Sequence, residues 1–559
     1  MKVCGIDLGT TYSSISWYDE ENNRVVTVEL VNAADGQKII RSVVYYPQGG
    51  SPIVGETAWN AARQHPERVV LGIKRSMGSG DYRFGPVDGA SYTPQQISAE
   101  ILKVLVQEAE AFLGDKVSGV VITVPAHFGD NECAATKEAG GLAGLNVLGL
   151  MAEPHAAALA FVTEKAASFQ EKDLLVYDLG GGTFDVTLIH ARALSHKVKS
   201  AADQADKEFP SLEMETLCKD GNASLGGLDW DQELAKLVAE KAQEQHGVDV
   251  MADPKNEAFL LDNCEKAKRH LGRTTSCTIV ADVAGHSVEV SRQEFEDRTQ
   301  GLLFQSESLV EKVLEDAVPV FQDRARKNGS MDPSQVDIVF VKSQVDVMLT
   351  GGSSKMPMVK EMLKRVSGKD PFMYGNPELL VTIGAAYYAH LLKSGLVTTG
   401  QPASPNPNGG QTQPPAPAPS GGGGGGLMII ERTSASYGIE ALRLNQTGAV
   451  EIDGRRYDAT YAVVLPKGSE YGKRMPKEFE KASDNVTEID IVIYEGKSDT
   501  DPLSDCRKVA TVTISDLPPG GYKGEIVRVE LECVGGMLSG SATDLKSQKV
   551  ATIQIARPC

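Results

Sequence analysis

No stretch of this chain reaches the roughly 18 apolar residues that a membrane-spanning helix needs. No CxxC pair occurs among its eight cysteines, at positions 4, 133, 218, 264, 277, 506, 533 and 559, which argues against a zinc site. Basic residues are in deficit, 56 Lys and Arg against 75 Asp and Glu, for a net charge of −19. Nucleic-acid phosphates call for the opposite balance, so nucleic acid is excluded as a main partner. The N-terminal MKVCGIDLGTT has no apolar h-region and no cleavage site. The expected setting is therefore the cytoplasm, with thiols reduced and no membrane contact.

What is present is an ordinary globular composition, 41% hydrophobic and 23% charged, in 559 residues. That length implies several domains. One boundary stands out. Residues 401–426, QPASPNPNGGQTQPPAPAPSGGGGGG, hold seven prolines, eight glycines and no charge, and cannot build a core. The expected division is a body over 1–393, a linker over 394–426 and a tail over 427–559.

The body alternates strand and helix signals, which means an α/β architecture. In TPQQISAEILKVLVQEAEAFLG, Thr93 can cap, Pro94 suits the first turn, and Gln96 completes a capping box. Ile97, Ile101, Leu105 and Phe112 recur at helical spacing, and Gly114 ends the run. VSGVVITVP reads as a buried strand. The tail reads differently. TEIDIVIYEG, KVATVTIS, EIVRVELEC and KVATIQI alternate with period two, which predicts a small antiparallel β-sandwich. In EIVRVELEC the residues Val527, Val529, Leu531 and Cys533 share the inward face.

The chemistry sits in an internal repeat. CGIDLGTTYSSISWY begins at Cys4 and LLVYDLGGGTFDVTLI at Leu174. Each has an apolar strand, Asp-Leu-Gly, a Gly/Thr turn and a returning apolar strand. Glycines let backbone N–H groups approach phosphate oxygens, and threonine hydroxyls add donors. An Asp at the strand end can hold a hydrated Mg²⁺. Two such hairpins across a cleft would grip a triphosphate from both sides. Neither turn is a P-loop or a GxGxxG fingerprint. In VDVMLTGGSSKMPMVKEML, paired glycines follow a strand and permit flat packing against a base or ribose. In FLLDNCEKAKRHLG, Glu265, Lys268 and Arg269 share one helix face, which by itself reads as a solvated face.

In order, GIDLGTTYS, IKRSMG, VITVPAHF, AEPHAAALAF, DLGGGTFDV, LGGLDWD, CEKAKRHL and LTGGSSKMP cover nearly all of 1–393. Together they resemble the 70-kDa heat-shock-protein (DnaK-type) chaperone family, on an α/β actin-like, two-lobed ATPase fold followed by an all-β sandwich. The resemblance implies an ATP-dependent chaperone that hydrolyses ATP to ADP and phosphate. It implies Asp7 and Asp178 as holders of Mg²⁺ through water. Gly9, Thr10, Thr11, Tyr12, Gly180, Gly181, Gly182 and Thr183 would line the phosphates. Lys74 would reach the γ-phosphate and orient the attacking water. Glu153 and Asp185 would complete the metal and water network. Gly227, Glu265, Lys268, Arg269, Gly351, Gly352, Ser353, Lys355 and Glu378 would clasp the nucleoside. There are departures. Gly272 stands where the family has Ser, Lys355 where it has Arg, and Gly141 and Gly149 where it has basic residues. The last pair puts interdomain coupling in question. The polar segment 195–211 looks like an insertion and yields no role.

In the tail, SYGIEA, LPKGSEY, EIDIVIYEG and GGMLSGSATD resemble the family's peptide-binding sandwich. Carried over, Leu442, Ala441, Phe479, Ala482, Ile489 and Ile491 would meet an extended peptide, with Met537 and Leu538 in support. Plain sandwich core is the competing reading, and it is favoured for Ile491. Leu427, Met428, Ile429 and Ile430 match the family's aliphatic interdomain linker, with Glu431 after them. The family's helical lid has no counterpart before Cys559, so fast peptide exchange is expected. Expected partners are unfolded or extended polypeptide, with a J-domain cochaperone and a nucleotide-exchange factor in view. A binding adaptor without refolding activity, and a sugar kinase or filament-forming ATPase, stay open as alternatives.

Overall fold

The computed structural model of the chain describes every residue except 1, 32–36, 166–168, 170, 200–205, 253, 330, 400–426, 431–432, 434–435, 445–449, 453–454, 471–472, 497–498, 535–536 and 559. Two compact units result. One comprises Met1–Phe128, Glu132–Val397 and, beyond the linker, Leu427; the other takes in Met428–Cys559.

The first unit is built twice over from one plan. In its first half, β1 (Lys2–Leu8), β2 (Tyr12–Asp19), β3 (Arg24–Thr27), β4 (Ile40–Arg41), β5 (Val117–Val124) and β6 (Val147–Ala152) form a sheet in the order β6-β5-β1-β2-β3, with β4 also paired to β2. Its second half has β7 (Glu171–Leu179), β8 (Phe184–Lys199), β9 (Asp206–Asn222), β10 (Val345–Thr350) and β11 (Phe372–Met373), in the order β11-β10-β7-β8-β9. In each sheet the hairpin carrying Asp-Leu-Gly is antiparallel, and the strand on its other side is parallel. The repeat in the sequence is thus a repeat of topology. Of the polar stretch 195–211, residues 195–199 and 206–211 form the outer part of the β8–β9 ribbon, paired from Ser195 opposite Pro210 to Lys199 opposite Asp206, and 200–205 lie outside the described residues.

The helix signals hold locally. Helix α1 (Pro94–Leu113) has the Thr93–Gln96 capping box and ends on left-handed Gly114. Its Ile97, Ile101 and Leu105 are fully buried, but Phe112 is 47% exposed because the last turn runs past the core. Helix α2 (Glu153–Glu164) crosses the later helix α3 (Leu380–Lys393) at very short range. Both are rich in small residues, AEPHAAALA and IGAAYYA, and this permits the approach. A Cβ on Gly384 would collide with the Ala156 backbone, and one on Gly5 with Ala385.

The second unit is two antiparallel sheets. One has β13 (Ser436–Leu444), β14 (Val450–Ile452), β15 (Arg455–Leu465), β17 (Ile489–Gly496) and β18 (Arg507–Ile514); strand β12 (Leu427–Ile430) precedes them in the chain and belongs to neither sheet of this unit. The other has β16 (Met475–Glu480), β19 (Ile526–Val534), β20 (Met537–Asp544) and β21 (Val550–Pro558). Val527, Val529, Leu531 and Cys533 all point into the core between them, as their period-two spacing requires. Cys4, Cys133, Cys218, Cys264, Cys277 and Cys506 are free thiols. Cys533 is disulfide-bonded, against the expectation of reduced thiols throughout.

Candidate functional site: a cleft between two glycine turns

The two Gly/Thr turns meet tip to tip. A Cβ on Gly181 would lie 2.7 Å from the Thr11 Cβ, and one on Gly182 would lie 2.6 Å from the Thr10 Cβ. Only glycine allows this closeness. A cleft of about 380 Å³ opens beside the turns, within the usual range for small-molecule sites. Of the residues expected to take nucleotide, metal or water, all but Gly182 and Asp185 line it. Gly182 packs behind Thr10, and Asp185 is buried beside the cleft, near enough to act on Asp178, where the Ala126 and His127 N–H groups reach it.

A third element closes on the turns. The long helix α4 (Gly227–His246) starts against the second one, where Gly227 N–H donates to the Gly180 carbonyl at 2.9 Å and Leu228 N–H to that of Gly181 at 2.8 Å. Asp229 caps that start by accepting the Gly226 N–H on its carboxylate, and it also holds Arg75. Arg75 Nε in turn donates to the Gly182 carbonyl at 2.7 Å. The first N–H groups of α4 are thus spent on the second turn, which they brace, and the backbone of the two glycine turns is what faces the cleft.

Buried acids crowd the other side. Asp7 and Asp178 end the first strands of the two hairpins. Burial, then the neighbouring Glu153, pushes the Asp7 carboxyl up to about 7, although Lys74 opposes this. Burial, then Glu153, Asp185 and Asp7, raises Asp178 well above the carboxylate range. Burial and mutual repulsion thus both disfavour the ionised form of these two acids. Lys74, only 5% exposed, is ion-paired to Glu153.

Above the cleft lies a network that sequence reasoning missed. The Tyr12 hydroxyl donates to Glu265 at 2.6 Å, and Arg41 donates to the other Glu265 oxygen at 2.8 Å. Arg41 also lies 4.2 Å over the Trp59 ring and 3.6 Å from Asp262. Asp262 further accepts from Trp59 Nε1 at 2.9 Å and Arg63 at 2.7 Å. Burial alone would raise Glu265, but Arg41 and Tyr12 hold it below its ordinary value. Glu265 and Lys268 are thus buried, contrary to the reading of that helix face as solvated. Helix spacing placed them together but could not reveal Arg41 and Trp59, more than 200 residues away in the chain. Lys268 donates to the Gly227 carbonyl at 2.7 Å and to Asp231 at 2.8 Å. Burial keeps Asp231 at about 6 despite that partner. Lys355 is paired with Glu378 at 2.8 Å, across the stretch of wall that Gly352 forms.

The residues carried over for a peptide groove do not gather in the same way. Ile491 is 4% exposed and belongs to the sandwich core, so its assignment to the groove is corrected. Phe479 on β16 and Ile489 on β17 are half-buried and pack on that core from opposite sheets. Leu442 is 38% exposed on β13, and Ala482 is half-buried. Met537 and Leu538 start β20, where Leu538 is core. In the aliphatic run, Leu427 is 2% exposed while Met428 is 40% exposed. Leu427 N–H donates to the Leu396 carbonyl at 2.8 Å, within the first unit.

A family model described as "Hsp70 protein" matches residues 3–84 and 85–399, most of the chain. The chain belongs to the Hsp70 family. This Hsp70 is an ATP-dependent molecular chaperone and an ATPase. Its relatives include "Chaperone protein DnaK" of Thermotoga neapolitana, 33% identical over 504 residues, which are 89% of this chain and 70% of that protein. "Chaperone protein DnaK" of Thermosipho africanus is 32% identical over 564 residues, 99% of this chain and 80% of its own. No helix among the described residues is long and apolar enough to cross a membrane.

Proposed function

We propose that the cleft holds ATP with Mg²⁺ on an actin-like, two-lobed scaffold, and that its turnover governs polypeptide binding by the β-sandwich. The observation that carries this reading is the pair of Gly/Thr turns touching over buried Asp7 and Asp178. The glycine turns supply N–H donors for phosphate oxygens, and α4 braces the second of them. Asp7 and Asp178 are the fitting holders for Mg²⁺, which when bound would neutralise developing phosphate charge. Lys74, Glu153, Asp185 and Thr183 then act on water rather than on a covalent intermediate. Glu153 keeps Lys74 pointed into the cleft. The Lys74 ammonium is placed to leave Glu153 for the terminal phosphate, and Glu153 and Asp185 accept hydrogen bonds from the attacking water. Glu265, Lys268, Arg269, Gly351, Gly352, Ser353, Lys355 and Glu378 line the end of the cleft left for ribose and base.

The sandwich is the holder of unfolded or extended polypeptide, through half-buried Phe479, Ala482 and Ile489 and exposed Leu442, by strand-type pairing. A J-domain cochaperone and a nucleotide-exchange factor are the proposed regulators, and the cytoplasm the proposed setting. Thiol counting with and without reductant tests that setting at Cys533.

The decisive experiment is single-turnover ATP hydrolysis by Lys74→Ala beside a nucleotide-binding titration. Turnover is expected to fall by about a hundredfold or more while affinity changes only a few-fold, as for loss of a group acting in the transition state. Normal turnover would overturn the site. Stimulation of the intact enzyme by unfolded peptide tests the coupling, and none across varied peptides would overturn that part.

A further inference from the structure

Beside the cleft, a side chain that none of these roles uses holds one that they do use. Strand β5 ends in the turn VPAHF, and the turn reaches across to β8 in the other half of the unit. Three donors from this turn converge on the Asp185 carboxylate. Ala126 N–H reaches Oδ2 at 3.2 Å, His127 N–H reaches Oδ1 at 3.2 Å, and the His127 imidazole Nδ1 lies 2.8 Å from Oδ1. A carboxylate only accepts, so Nδ1 carries the proton. The Asp185 side chain is 2% exposed and His127 is 18% exposed. The two are enclosed by a strand built to make room for them. Gly221 on β9 stands directly opposite Asp185, and a Cβ there would come within 2.8 Å of its Oδ1 and 3.3 Å of the imidazole Nδ1. Lys219, two residues before it, donates to the Ala126 carbonyl at 3.3 Å and pins the same turn. On its far side the imidazole leaves Nε2 buried without a hydrogen-bond partner among the described residues. A buried polar atom without a partner costs stability, so the ring is held for what Nδ1 does.

We propose that His127 is a positioning residue of the ATPase reaction, which fixes the Asp185 carboxylate through Nδ1 so that it meets the attacking water in one orientation. Without that bond, Asp185 keeps two weaker backbone contacts and can swing. Hydrolysis then slows while nucleotide binding, which uses the turns and the opposite wall of the cleft, does not. This inference rests on the proposed role of Asp185.

The test is single-turnover hydrolysis and nucleotide affinity in the full chain, for His127→Ala, His127→Asn and His127→Gln. Asparagine can place its amide N–H near the position of Nδ1; glutamine reaches further and cannot. Alanine and glutamine are expected to lower the hydrolysis rate by roughly tenfold, the lower end of what loss of a supporting hydrogen bond costs, with nucleotide affinity within a few-fold. Asparagine is expected to recover most of the rate. Gly221→Ala, which pushes on the same carboxylate from outside, is expected to reproduce the defect with His127 intact. Equal rates in His127→Ala and the parent, or an asparagine variant as slow as alanine with a parent-like melting temperature, would overturn the proposal. Asp185→Asn separates the two readings. If it too turns over normally, the role of Asp185 fails; if it is slow while His127→Ala is normal, only the inference about His127 fails.

Discussion

Lys481 is a lysine inside a β-sandwich, and its neighbours explain how it stays charged. It donates to Asp544, 2.8 Å away, and to Glu525, 3.0 Å away, and its side chain is 5% exposed. Burial would raise Asp544, but the Lys481 hydrogen bond overrides this and holds the carboxyl below its ordinary value. The stability from such a depressed acid is present above its unfolded pKa, near 4, and is lost as pH falls through the lower folded value. Lys481→Ala leaves the buried Asp544 carboxylate with Ser547 as its only hydrogen-bond donor among the described residues and no cation, and is expected to destabilise by about 1–3 kcal/mol at neutral pH. Below about pH 4 the stranded acid protonates and the difference from the parent should shrink. Denaturant unfolding at pH 7 and pH 4 checks both size and sign. At this scale the sequence speaks unevenly. Asp7, Asp178 and the glycines announce themselves through repetition, whereas Arg41 in KIIRS and His127 in VPAHF are single letters. Their partners lie far off in the chain, so only the fold brings out their meaning.

At the scale of elements, close approach decides what can be changed. Helices α2 and α3 meet through Ala156 and Gly384 with no room for a side chain. Gly384→Ala is therefore expected to destabilise by about 1–3 kcal/mol through overpacking, although alanine is the better helix former. A thermal melt should fall; an unchanged or higher midpoint would mean that the helices separate freely. The upper network gives a different prediction. Arg41→Ala removes the shared partner of Glu265 and Asp262 and is expected to speed nucleotide release about tenfold, measured by stopped-flow displacement, corresponding to about 1.4 kcal/mol. Element type was legible throughout, because capping boxes, period-two strands and Gly turns are local signals. The peptide groove was not. Ile489 and Ile491 lie two residues apart and share one face of their strand, and the pattern cannot say whether a second sheet or a ligand covers it.

The molecule as a whole is divided at a place the sequence marks clearly, yet Leu427 lies on the far side of that mark. About 30 residues separate it from Leu396, and the two are hydrogen-bonded. Polar replacement of Leu427, buried at the edge of the first unit, is expected to abolish the response of ATP turnover to peptide while basal turnover persists. Halving the Pro/Gly stretch should help the contact by only about 0.6 kcal/mol, since closure entropy grows with the logarithm of length. Peptide-stimulated turnover in both variants measures the two effects. A chain joined at its own neck has a further property. A cut among residues 401–426 severs the polymer but leaves Leu427 and Leu396, both in the first unit, hydrogen-bonded to each other. That stretch is accordingly the place where a protease site, a tag or a whole guest domain could be spliced in with the least cost to the rest.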